Sequence, residues 1–125
     1  MTAPRPLPPC GRGVCVSTRA PVTAPLRRIE PLAVAAPAAV VLGAVLQVLS
    51  RMPRARVLER DDLAVHAVVR SAWLRVPTDV EVRIDAEAGR VDLRMATPLA
   101  LRAAAHPRGR AEALLRAIDG AIRSA

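Results

Sequence analysis

The sequence predicts an α+β fold: a two-layer sandwich in which an antiparallel sheet of about four strands carries two helices packed on one face. Three observations support this fold. Residues 79–95 alternate between apolar and charged side chains, residues 38–52 are almost entirely apolar, and residues 107–123 place their apolar side chains on one helical stripe. Because an antiparallel sheet can leave one face in water, its strands are expected to alternate rather than to be apolar throughout.

The chain divides by composition into an arm and a domain. Residues 1–28 are expected to form a proline-rich arm, extended or loop-like, and residues 29–125 a single α+β domain. A length of 125 residues fits one domain with a modest core. The arm has no apolar run before a small-residue cleavage site, so no cleavable signal peptide is recognised.

Residues 38–52 are expected to form a helix that is buried against the sheet and ends before Pro53. A membrane anchor formed by the apolar residues 32–49 is the alternative. Pro37 and Gly43 interrupt that stretch, and its uninterrupted part is shorter than the ~20 residues that a transmembrane helix needs. The buried helix is therefore favoured.

A hairpin is expected next, with strands at residues 54–60 and 63–70 and a tight turn at Asp61 and Asp62. The last element is a helix over residues 107–123, because its apolar residues recur with helical spacing. The predicted stripe consists of Ala111, Leu114, Leu115, Ile118 and Ile122.

Residues 79–85 and 90–95 are expected to pair as a second hairpin whose register is selected by charge. In one register every cross-strand pair is complementary. The pairs are Asp85 with Arg90, Arg83 with Asp92, Glu81 with Arg94, Ile84 with Val91 and Val82 with Leu93. A slip of two residues keeps the apolar face inward but sets Arg83 against Arg94, and like charges directly opposite destabilise a sheet.

The net charge of +8 and the pI near 11.6 are typical of proteins that bind nucleic acid or anionic surfaces. Arginine replaces lysine throughout, and alanine is abundant, which indicates the GC-rich coding sequence of a high-GC bacterium. The positive charge is therefore weaker evidence for an anionic partner. Single-stranded nucleic acid is usually bound with aromatic stacking, and Trp73 is the only Trp, Tyr or Phe. Nucleic acid is therefore disfavoured as a partner.

Four motifs resemble, in order, a family filed as domain of unknown function 1499. Residues 9–18 (PCGRGVCVST) resemble its "C…CVSS" opening, and residues 29–32 (IEPL) its entry to the first helix. Residues 70–84 resemble its "DDVE" strand and residues 91–97 (VDLRMAT) its "vdvRSaS" strand. The resemblance implies an α+β domain, soluble or membrane-associated, with no established activity.

The chain departs from this family after residue 97. There the family continues through a polar turn of Arg, Gly, Asp, Gly and Asn, whereas this chain has proline and alanine. The replaced positions are Pro98, Ala100, Ala103, Ala105 and Pro107. Only Arg94 and Arg110 match. If that turn is the functional site of the family, this protein has lost or altered it.

Cys10 and Cys15 are spaced too widely for a CxxC redox motif. We expect free thiols in a reduced cytoplasm, with a disulfide as the alternative. The predicted localisation is therefore cytoplasmic, with membrane association as the alternative. A zinc site would need two more ligands, and His66 and His106 have no evident reason to meet the cysteines. No metal or cofactor is predicted.

No catalytic residue is predicted. Asp79, Glu81, Asp85 and Asp92 resemble a set of acid–base carboxylates, but the register gives most of them an arginine partner, which favours a solvated ion-pair ladder. The sequence contains no GxSxG elbow, no glycine-rich phosphate loop and no HExxH motif.

Trp73 is expected to be buried in the core, where it would act as a core plug, since it is the one large aromatic side chain. The alternative is an exposed anchor beside Arg70 and Arg75, which would form a peripheral membrane or partner-docking patch.

The leading hypothesis is a non-enzymatic module that binds a partner protein or a small ligand. Its candidate binding residues are Cys10, Cys15, Ser17, Arg70, Trp73, Glu81 and Arg94. The alternative is an enzyme or small-ligand-binding protein that uses the arm and the polar sheet face, which requires the arm to fold back over that face. A further alternative is a membrane-anchored domain.

Overall fold

The computed structural model describes residues 5–11, 14–73, 75–97 and 107–125. They form six strands and two helices. In chain order these are β1 (Val14–Ser17), β2 (Leu32–Ala33), α1 (Ala38–Arg51), β3 (Ala55–Arg60), β4 (Ala64–Arg70), β5 (Pro77–Asp85), β6 (Arg90–Thr97) and α2 (Pro107–Arg123). The fold is α+β, as predicted.

The six strands form one antiparallel sheet in the order β1-β6-β5-β4-β3, and β2 also pairs with β6. The expectation of about four strands was therefore too low. The two additional strands are the shortest, with four residues in β1 and two in β2. Segments of that length are too short to show alternation, and β1 lies in the proline-rich arm.

The predicted register of the central hairpin is confirmed. Asp85 lies opposite Arg90, and the pairing continues without a slip to Asp79 opposite Ala96. On one face of this hairpin every apolar side chain is fully or almost fully buried. These residues are Val80, Val82, Ile84, Val91, Leu93 and Met95.

Both helices pack on that face, as predicted, and complete a single apolar core. Helix α1 is 14 residues long, about 21 Å at 1.5 Å per residue, and it buries Val41, Ala44, Val45 and Leu49.

Since Leu32–Ala33 is a strand, residues 32–49 are not one continuous helix. None of the helices in the described ranges is long and apolar enough to cross a membrane.

Candidate functional site

The sheet face opposite the helices carries a row of polar residues that crosses five strands. The strand pairings set Glu59 beside His66, His66 beside Glu81, Glu81 beside Arg94, and Arg94 beside Ser17. Three predicted site residues, Ser17, Glu81 and Arg94, thus lie in one row. We call this surface the polar face.

Charges on the polar face pair mainly along the strands. Nη2 of Arg83 lies 2.9 Å from Oε2 of Glu81, and Nε of Arg90 lies 3.0 Å from Oδ2 of Asp92. Among the described residues Glu81 has ion pairs with Arg83 and His66 and none with Arg94, so the expected Glu81–Arg94 ion pair is not formed. The buried Nε of Arg94 has no hydrogen-bond partner in the described part of the chain.

The arm folds back over the polar face, as the alternative hypothesis requires. The backbone oxygen of Arg5 accepts a hydrogen bond of 3.0 Å from Nε of Arg83, and Nη2 of Arg5 lies 3.4 Å from Oδ2 of Asp61. A cavity of about 450 Å³ lies beside the arm. Its lining comprises Arg5, Glu59, Arg60, Asp61, Ala64, His66, Glu81 and Arg83. Three arginines are balanced there by three carboxylates, so the charges of this cavity neutralise one another.

Cys10 and Cys15 form a disulfide, which corrects the expectation of free thiols. Their Cα atoms are 5.7 Å apart, within the usual range for a bridge. Cys15 lies on β1 opposite Ala96, so the bond ties the arm to the sheet at the edge where the arm begins to cross the polar face. In this state neither sulfur is available as a nucleophile or a metal ligand.

A second cavity, of about 360 Å³, lies at the end of the sheet where β4 ends and β5 begins. It is lined by Met52, Pro53, Arg54, Val69, Arg70, Ser71, Val76, Thr78 and Arg110. Three of these residues are arginines, and no carboxylate is among the described lining residues. We call it the arginine cavity. Its walls combine apolar side chains with an uncompensated positive charge.

Arg110 reaches the arginine cavity from the first turn of α2. Its Nη2 donates a hydrogen bond of 3.2 Å to Oγ1 of Thr78, which lies 3.2 Å from Oγ1 of Thr97. Both threonines are buried. The buried Nε of Arg110 has no hydrogen-bond partner among the described residues. A buried N–H group without an acceptor is costly, so the described residues leave the hydrogen bonding of this guanidinium group incomplete.

Backbone strain is concentrated beside the same cavity. Arg54, with φ 63°, and Arg75, with φ 54°, are the described non-glycine residues with positive φ. Nε of Arg54 donates to the backbone oxygen of Arg70 over 3.2 Å, and Nη1 of Arg70 donates to that of Arg75 over 3.3 Å. Left-handed backbone costs an L-residue roughly 1–2 kcal/mol. Such outliers cluster at functional sites, which supports a function at this cavity.

Trp73 is 93% exposed, so the expectation of a core plug was wrong. The backbone N–H of Ser71 donates to the oxygen of Val76, and that of Val76 donates to Oγ of Ser71, each over 3.0 Å. These two bonds close the loop and turn Val76 inward, where it is buried. Trp73 lies at the outer part of the loop, beside the exposed Arg70 and Arg75.

The predicted site residues therefore fall into two groups. Cys10, Cys15, Ser17, Glu81 and Arg94 lie on or beside the polar face, whereas Arg70 and Trp73 lie at or near the arginine cavity. The sequence analysis missed the cavity residues Arg54 and Thr78. The sequence contains one indication of a positively charged site: residues 47–58 and 63–78 include five arginines and no aspartate or glutamate.

Arg94 and Arg110 are the two residues that match the arginines of the family pattern, and they also contain the two buried Nε atoms without a partner in the described ranges. The replaced turn positions Pro98, Ala100, Ala103 and Ala105, together with His106, lie outside the described residues. Pro107 is buried at the start of α2.

The comparison with curated proteins gave no match. A family model does match, over residues 7–118 of the 125-residue chain, and this range contains the polar face and the arginine cavity. The expected resemblance is thereby confirmed, and the chain belongs to the family described as "Protein of unknown function (DUF1499)".

Proposed function

We propose that this protein is a non-enzymatic binding module that takes a small anion with an apolar portion into the arginine cavity. One observation carries this proposal: three arginines line a pocket whose described lining contains no carboxylate. The polar face is less suitable because Arg83 and Arg90 already have carboxylate partners, and the cavity beside it is lined by three arginines and three carboxylates.

The lining residues define the ligand chemistry. Guanidinium groups bind carboxylate and phosphate oxygens with charge-assisted hydrogen bonds. Met52, Val69 and Val76 supply apolar walls. The volume of about 360 Å³ is near the lower end of the range for ligand pockets, which favours a small anion with a short alkyl or ring portion.

The described lining also favours binding over catalysis. Arginine does not exchange a proton in the physiological range, and the other polar side chains are the hydroxyl groups of Ser71 and Thr78. A hydroxyl nucleophile requires an adjacent general base, and none is among the described lining residues.

Isothermal titration calorimetry with hexanoate, acetate and hexanol tests the proposal. We expect hexanoate to bind more tightly than acetate, because each buried methylene contributes about 0.8 kcal/mol. We also expect hexanoate to bind more tightly than hexanol, which lacks the charge. Butyl phosphate serves as a second anionic probe.

Arg110→Met is the decisive variant, and Arg116→Met, an exposed position on the same helix, is its control. A hydrogen bond to a charged group contributes about 1.5–3 kcal/mol, so Arg110→Met should weaken hexanoate binding by about tenfold or more. The control should bind normally. If Arg110→Met does not fold, Arg70→Met takes its place. Equal hexanoate affinity in the variant and the control would overturn the proposal, as would no binding of hexanoate or butyl phosphate.

A further inference from the structure

An exposed tryptophan lies within a cluster of exposed arginines between β4 and β5. Trp73 is 93% exposed, and Arg54, Arg70 and Arg75 are also exposed. The hydrogen bonds from Arg54 to Arg70 and from Arg70 to Arg75 hold these arginines together. We call these four residues the Trp73 surface.

The segments of chain around the Trp73 surface carry basic residues and no acidic ones. Residues 47–58 and 63–78, the segments of chain that contain the Trp73 surface, have no aspartate or glutamate. Their arginines are Arg51, Arg54, Arg56, Arg70 and Arg75. The next carboxylate along the chain, Asp79, has its Oδ1 3.4 Å from Nε2 of His66. The surface therefore complements a partner with a high density of negative charge.

We propose that the Trp73 surface docks this protein on an anionic lipid surface. A tryptophan ring is favoured at the level of lipid headgroups, where its apolar body is buried and its N–H stays near water. The arginines add attraction to anionic headgroups. Trp73 protrudes from a closed loop, which suits insertion into a bilayer interface better than the flat, complementary contact of a protein interface.

This inference goes beyond the proposed function and does not depend on it. Trp73 and Arg75 are not lining residues of the arginine cavity. Variants at these two positions should leave hexanoate binding unchanged while they weaken lipid binding, so either proposal can fail while the other stands.

Because Trp73 is the only tryptophan in a chain without tyrosine or phenylalanine, intrinsic fluorescence reports on this surface alone. The full chain is titrated with vesicles of phosphatidylcholine, with or without phosphatidylglycerol. We expect the emission maximum of Trp73 to shift to shorter wavelength with the phosphatidylglycerol vesicles only. Added salt should reverse the shift, since exposed charges are screened.

Vesicle flotation compares variants. Each basic residue near an anionic surface contributes about 1 kcal/mol, so Arg75→Gln should weaken flotation with phosphatidylglycerol vesicles by about fivefold. Arg116→Gln changes the net charge equally at an exposed position on α2 and should have little effect. Trp73→Ser, in an exposed loop, should fold normally and lose at least as much binding as Arg75→Gln.

Three results would overturn the proposal. The first is flotation without a change in Trp73 emission, which would indicate adsorption through arginines elsewhere. The second is an equal loss in Arg75→Gln and Arg116→Gln. The third is a larger emission shift with soluble polyglutamate than with anionic vesicles, which would identify an acidic protein as the occupant.

Discussion

Arg54 gives the sharpest test of the link between strain and ligand binding at the arginine cavity. Its φ of 63° costs an L-residue roughly 1–2 kcal/mol, a cost that glycine does not have. Glycine loses about 0.5–1 kcal/mol through its greater freedom in the unfolded chain. Arg54→Gly also removes an exposed hydrogen bond to Arg70, worth about 0.5 kcal/mol. The net effect should lie between no change and about 0.5 kcal/mol of added stability.

The same substitution removes a cavity guanidinium, so hexanoate should bind about tenfold more weakly. Arg75→Gly is the matched control, because Arg75 has a φ of 54° but does not line the cavity. It should gain about 0.5–1 kcal/mol and keep its affinity. Urea unfolding gives the stability, and calorimetry gives the affinity. Destabilisation of Arg54→Gly by more than about 1 kcal/mol would refute backbone strain, and an unchanged affinity would refute the ligand contact.

Two further predictions concern the polar face. A double-mutant cycle of Glu81→Ala with Arg83→Ala should give a coupling energy of about 1–2 kcal/mol, because these two residues form an ion pair. The cycle of Glu81→Ala with Arg94→Ala should give less than about 0.5 kcal/mol, since no ion pair joins them in the described residues. The reverse order in urea unfolding would contradict the structure. Replacing Cys10 and Cys15 with serine should cost no more than about 2 kcal/mol, since the closed loop is short. Proteolysis of the arm should nevertheless become faster, and an unchanged rate would show that the disulfide does not hold the arm.

The hairpin register was predictable because two signals agree: a period of two sets the buried face, and opposite charges exclude the slipped register. The ion pairs were not predictable from the same pattern. Arg83 bonds to Glu81 on its own strand and also donates to the arm, and nothing in the hairpin sequence indicates that the arm crosses at that point. Register depends on local residues, whereas the choice between partners depends on what covers them.

The arginine cavity could not be predicted as a unit because its lining comes from distant segments. Arg54 follows α1, Arg70 ends β4, Thr78 lies in β5, and Arg110 lies in α2. No spacing rule connects these positions. The position of Trp73 was mispredicted for a related reason: two hydrogen bonds within its loop, not its size or apolarity, determine which side chain points inward.

The strong positive charge of the chain has a distribution that codon usage does not explain. A GC-rich coding sequence accounts for arginine in place of lysine, but GC-rich codons also encode aspartate and glutamate. The chain has 11 of these acidic residues, and all of them lie outside residues 47–58 and 63–78. On the polar face, Arg83 and Arg90 are paired with carboxylates, which offsets their charge. Five arginines lie within residues 47–58 and 63–78, around the arginine cavity and Trp73, and residues 1–29 carry five more, also without an acidic residue. Repulsion among these arginines opposes folding and a bound anion offsets it, so the proposed anionic ligand and the proposed lipid surface are both complementary in charge to this region.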